Sequence, residues 1–215
     1  MNVSIREPIN ALTHLAGAVL SIAALIAMVI KAAITLHSVI AVSAVAIFGV
    51  SLILLYTASA AYHSVIAKDS VIAFFRRLDH SMIFVLIAGS YTPFCLISLH
   101  NEAGWRLFFI VSFAAVCGVI FKMVWFNCPR WLSTALYILM GWMAVFVFSP
   151  LASTMETTGL VLLVAGGVLY TIGGIIYGLK PKWLQFKKMG FHEIFHIFIL
   201  LGSLSHFLSV FFFVL

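Results

Sequence analysis

Residues 192–196 read HEIFH. Two histidines four apart lie one above the other on a helix face, so both imidazoles can reach one metal ion. The glutamate beside the first completes the pattern of the zinc-peptidase helix, where it activates water. A catalytic zinc needs a third protein ligand and one open position, and three neutral imidazoles plus a water supply that geometry. His63 is the candidate third ligand, standing four residues after Ser59 on a shared face. Zinc lowers the pKa of such a water to about 7. Asp79 then has a use, because a carboxylate beside that water can take its proton and orient it. Ser59 is placed to hydrogen-bond the water or a substrate carbonyl. The expected set is His63, His192 and His196 as metal ligands, with Asp79 and Ser59 as catalytic groups.

The remaining polar residues sort around that set. Glu7, Asn10 and His14 recur on one helix face and are expected to support the neighbouring helices below the metal. His80 points about 100° away from Asp79 on a helix, which suits a supporting or interfacial role. His206 lies ten residues beyond His196, too deep to join the same ion, and reads as structural. His37 and His100 fall in outer loops and read as solvated. Glu193 is about 100° from His192 around the helix. Geometry alone leaves it open as a base, but Asp79 already offers one. No NPDG-like partner motif of the intramembrane site-2 proteases occurs in the chain.

These residues sit in a very apolar chain. Of 215 residues, 64% are hydrophobic and 8% charged, with mean hydropathy +1.21. Soluble domains carry about 25% charged residues, so the chain reads as an all-α polytopic membrane protein. Seven segments are long enough to span, at roughly 9–34, 37–63, 78–99, 104–126, 130–151, 157–179 and 190 to the C-terminus. No loop is long enough for a second domain, so 1–215 reads as one seven-transmembrane-helix bundle. The first apolar stretch exceeds a signal-peptide core and lacks a clear small-x-small cleavage site. The net charge of +6 is spread over short loops in no stripe, which argues against nucleic acid as a partner. Membrane lipid is the expected partner. Cys95, Cys117 and Cys128 have no metal-like spacing and read as small apolar fillers. Gly174 and Gly178 form a small-xxx-small pair for close helix approach, and Pro93 predicts a kink in the third segment.

Lysine and arginine set the orientation. Ten of the twelve fall at the N-terminus and in the 2–3, 4–5 and 6–7 loops: Arg6, Lys68, Arg76, Arg77, Lys122, Arg130, Lys180, Lys182, Lys187 and Lys188. Lys122 is near a helix end, where its stem can snorkel. Only Lys31 and Arg106 fall on the other side. The N-terminus is therefore expected in the cytoplasm and the C-terminus outside. With that alternation, Glu7, Asn10, His14, Ser59, His63, Asp79, His80, His192 and His196 all fall at one depth in the cytoplasmic leaflet. Ionisable residues are expensive inside a membrane, and scattered core histidines would not share a level.

Four stretches resemble the bacterial hemolysin III family, within the progestin and adipoQ receptor superfamily: EPINALTH (7–14), SAAYH (59–63), LDHSMIFVLIAGSYTPF (78–94) and HEIFHIFILLGSLSHF (192–207). The resemblance covers nearly the whole chain. It implies seven helices with the N-terminus inside. It implies zinc held by His63, His192 and His196, with Asp79 reaching the metal through water. It also implies kinship with alkaline ceramidases, which use one serine, one aspartate and three histidines on lipid amides. In eukaryotic relatives the second position of the HxxxH motif is often not acidic, so the resemblance gives Glu193 no catalytic role. Three functions follow as expectations. The favoured one is a resident plasma-membrane zinc hydrolase of a lipid amide or ester. The alternatives are a non-enzymatic regulator or sensor of membrane state with structural zinc, and a hemolysin active in cytolysis. The chain shows no amphipathic pore-forming segment to support the last.

Overall fold

The computed structural model describes residues 5–125, 127–186 and 189–215. Lys187 and Lys188, both used in the charge count, lie outside the described residues. Among those described there is no strand, and seven helical spans are long and apolar enough to cross a membrane. They are α1 (Pro8–Thr35), α2 (Val39–Ser64), α3 (Asp69–Pro93) continued as a wider π turn to Leu99, α4 (Glu102–Val124), α5 (Arg130–Gly141) continued through a tight 3₁₀ stretch into α6 (Phe148–Thr154), α7 (Thr157–Leu179) and α8 (Phe191–Phe213). The lipid offers no hydrogen bonds, so helices satisfy their own backbone.

Local chemistry marks the ends. Pro8 opens α1 at the position where its missing N–H is no loss. Ser38 caps α2 by accepting from the Ala41 amide at 3.3 Å, and Asn101 caps α4 by accepting from the Gly104 amide at 3.0 Å. His100 follows the π turn in a left-handed conformation at φ 43°, and His37 and Lys180 do the same after α1 and α7. Both His37 and His100 are exposed.

Neighbouring spans pack in chain order, α1 on α2, α2 on α3 and α3 on α4. The fifth span meets α7, α7 lies along α8, and α8 returns to α1. Phe48, Leu52 and Tyr56 of α2 are buried in the core, while side chains such as Leu20 and Phe113 face outward, as lipid-facing positions should. Close approaches depend on glycine. A Cβ on Gly89 of α3 would stand 2.1 Å from Ser51 Oγ on α2, and one on Gly166 of α7 would stand 2.2 Å from His206 Cδ2 on α8. The Gly174 and Gly178 pair is different. A Cβ there would make ordinary contacts of 3.5–3.7 Å with Thr134 and Ile138, so the tight seams of α7 are at Gly159, Gly166 and Gly173.

Two spans depart from the sequence reading. Helix α3 starts at Asp69 rather than near residue 78, because hydropathy stops at charge while helical hydrogen bonding does not. Arg76 and Arg77 are therefore helical, and Asp79 and His80 sit about three turns into the helix rather than in its first turn. The fifth span is broken. Pro150 in α6 clashes with a helical carbonyl four residues earlier, and residues 142–147 wind more tightly ahead of it. Tyr91 of α3 stitches the break: its hydroxyl donates toward the Met140 and Gly141 carbonyls at 3.0 and 2.6 Å and accepts from the Ala144 amide at 2.9 Å.

Candidate metal centre

His63 ends α2, and His192 and His196 occupy the first two turns of α8. Each offers one ring nitrogen to a group whose atoms all lie within 4.8 Å of one another. Nε2 of His63 and Nε2 of His192 are 3.3 Å apart. Two nitrogens bound 2.0–2.1 Å from a tetrahedral zinc stand about 3.3–3.4 Å apart, so the pair has the right spread without rearrangement. His63 and His196 are each 1% exposed.

Glu7 orients the group. Its Oε2 lies 2.5 Å from His63 Nδ1, so the ring donates there and turns Nε2 toward the other imidazoles. A carboxylate on the far nitrogen is the usual partner of a metal-bound histidine. Partial burial raises the pKa of the Glu7 carboxyl, but the His63 hydrogen bond and the charges of His63 and Arg6 outweigh it, so the carboxyl is held below its ordinary range. Asn10 is a hub, donating to Glu193 Oε1 at 2.9 Å and to Glu7 Oε2 at 3.4 Å. Its backbone meets the His196 ring.

His14 does more than fill space. Its ring stacks on His196 with centroids 3.6 Å apart and meets Tyr56 edge-on. Both His14 ring nitrogens and His196 Nδ1 are buried with no hydrogen-bond partner among the described residues. Buried nitrogens are rarely left unpaired, and these belong to one stacked ring pair beside the triad. The donor set of three imidazoles and no thiolate is one that zinc accepts.

A cavity of about 620 Å³ opens against this cluster. Ser59, Asp79, His192 and His196 line its polar end, and residues such as Leu55, Ile83 and Phe94 form its apolar wall. Asp79 is buried and lies within hydrogen-bonding reach of Ser59. Ser59 thus faces the carboxylate. His206, which also lines the cavity, has its Nε2 3.1 Å from the Leu163 carbonyl.

Glu193 is engaged by both oxygens. Oε2 accepts from the Gly190 amide at 2.7 Å and Oε1 takes the Asn10 bond. It caps α8 and ties it to α1, as the first turn of a helix favours. His80 turns away from the cluster, its Nε2 3.2 Å from the Tyr177 hydroxyl.

Sequence reasoning missed one group. Lys122 does not snorkel. It is 3% exposed, with Nζ donating to Ser133 Oγ at 2.9 Å and lying 3.5 Å from Cys128 Sγ. Cys128 is therefore part of a polar cluster and not an apolar filler. The pairing of a span lysine with a serine of the next helix was the available signal.

The haemolysin-III related family model matches residues 3–207. Hemolysin-3 of Bacillus cereus is 42% identical over 218 residues, covering 100% of this chain and 95% of that protein. A Hemolysin-3 homolog of Bacillus subtilis (strain 168) is 40% identical over 212 residues, covering 98% of this chain and 95% of that protein. With seven spans, a histidine triad and relatives matched end to end, this chain is a multi-pass membrane protein that belongs to the haemolysin-III related family.

Proposed function

We propose that the protein is an intramembrane zinc-dependent hydrolase that cleaves an amide or ester of a membrane lipid. The observation that carries this reading is that His192 and His196 of the three-histidine cluster line one large apolar cavity together with Asp79 and Ser59. The cavity has the size of a small-molecule site, and its walls suit an acyl chain entering from the bilayer. We read residues 1–215 as one domain, with the N-terminus cytoplasmic and the centre in the cytoplasmic leaflet.

Zinc bound to His63, His192 and His196 supplies Lewis acidity toward a carbonyl and toward water. Glu7 holds His63 in the tautomer that presents Nε2. Asp79 takes the proton of the attacking water and returns it to the leaving nitrogen or oxygen. Ser59 holds the Asp79 carboxylate in place. The apolar wall excludes bulk water from the acyl chain.

Metal content and turnover of an acyl-amide lipid test the reading together. Wild type should hold about one zinc per chain, lost in His63→Ala and His192→Ala. Asp79→Asn should keep the metal and lose about 10²–10⁴-fold in turnover. No zinc in well-folded wild type would return the 3.3 Å His63–His192 contact to an N–H···N hydrogen bond. Zinc without turnover of any lipid amide or ester would favour a structural clasp between α2 and α8, in a regulator of membrane state. The relatives' name favours a lytic reading as well, and lysis of erythrocytes by added purified protein would support it.

A further inference from the structure

A smaller pocket of about 40 Å³ lies beside the large cavity, and His80, Tyr137 and Tyr177 line both. Its other side carries Arg76, Lys122 and Arg130. The three cations come from separate elements: the body of α3, the last turn of α4 and the first residue of α5. Three helices have thus brought positive charge to one place. Among the described residues, no carboxylate lines the pocket.

The donors are held in place. Ser133 Oγ fixes Lys122 Nζ at 2.9 Å, in a residue only 3% exposed. The Arg130 guanidinium lies 4.9 Å from the Tyr177 ring centroid, a cation–π contact. Its Nη1 is buried with no acceptor among the described residues. A buried donor left so is destabilising, and more so when charged. The pocket has room for roughly three waters, the scale of one tetrahedral oxyanion.

We propose that this pocket binds a phosphate group, carried by an anionic lipid headgroup or by free inorganic phosphate. Arginine matches phosphate oxygens through its planar fork, and a fixed lysine adds a point charge. The pocket sits where α4 ends and α5 begins, the level at which a span reaches the headgroups, and basic pockets between membrane helices take such groups. This site does not depend on the metal centre or its chemistry.

The test uses the full chain in a neutral detergent. Its thermal unfolding midpoint is followed on adding sodium phosphate against sodium chloride at equal ionic strength. Phosphatidylglycerol is compared with diacylglycerol in the same way. Wild type should be stabilised by at least one phosphate-bearing probe, and Arg76→Gln/Arg130→Gln should need at least tenfold more of it at unchanged metal content. A response to phosphatidylglycerol alone assigns a headgroup. A response to inorganic phosphate alone assigns the free ion, and a response to both assigns the shared group. No response to either probe overturns the proposal, as does an equal response to diacylglycerol or an unaltered response in the double variant. If the double variant does not fold, Lys122→Met takes its place with the same outcomes.

Discussion

At the scale of the residue, two glutamates divide the work that the HEIFH pattern would give to one. Glu7, distant in sequence, reaches His63 Nδ1 at 2.5 Å, while Glu193, adjacent to a ligand, spends both oxygens on Gly190 and Asn10. Glu7→Gln should lower metal affinity about 10–100-fold, read by competition with a chelator of known affinity, while the chain stays folded. Glu193→Gln should behave in the opposite way. It should keep metal and turnover and lose about 0.5–2 kcal/mol of stability, as a lost helix cap does, read from the denaturation midpoint. A collapse of turnover at unchanged stability in Glu193→Gln would restore the peptidase-type role. The clustering of His192 with His196 was legible because i,i+4 spacing survives in any helix. The Glu193 role was not, because a cap and a base occupy the same helical angle and differ only in what the oxygens touch.

At the scale of the element, the spans were legible from hydropathy and their ends were not. Helix α3 gains the stretch DSVIAFFRR, whose charges hid its helicity. Its 31 residues to Leu99 span about 46 Å at 1.5 Å per residue, well beyond a hydrocarbon core of about 30 Å. The extra turns carry Arg76 past the apolar layer and toward the phosphate pocket. The break at residues 142–147 was also hidden, since its cause is a proline downstream and its repair is Tyr91 on another helix. Seams between elements set the site. Gly89 lets α3 approach α2, and those two helices carry Asp79 against Ser59. A Cβ at Gly89 would meet Ser51 Cβ at 2.5 Å as well as its hydroxyl, so rotating the serine cannot relieve it. Gly89→Ala should destabilise by about 1–3 kcal/mol, the usual range for overpacking. It should also lower turnover by separating Asp79 from the histidines. A variant with a wild-type melting temperature and full activity would remove this seam from the argument.

At the scale of the molecule, the polar ends of α1, α2, α3 and α8 meet at one end of the bundle, and the apolar cavity runs away from them. Which membrane face that end meets decides where substrate and product go. Arg6, Lys68, Arg76, Arg77, Arg130, Lys180 and Lys182 all lie at the end that holds the metal centre, by the alternation of the spans. Lys122 leaves the count as a loop charge because it is buried. At the opposite end, both cations are locally engaged. Lys31 Nζ reaches the Phe211 carbonyl at 2.5 Å and Arg106 pairs with Glu102. The positive-inside rule predicts that this end faces the cytoplasm, where the anionic headgroups of that leaflet would hold it. Alkaline phosphatase fused at the C-terminus or in the loop at His100 should therefore be active, and fused after Lys182 it should be inactive. A fluorescent protein that matures only in the cytoplasm should give the inverse pattern. The reverse result at all three positions would turn the bundle over. The metal centre would then face outside, and a lipid of the outer leaflet would become the substrate to screen.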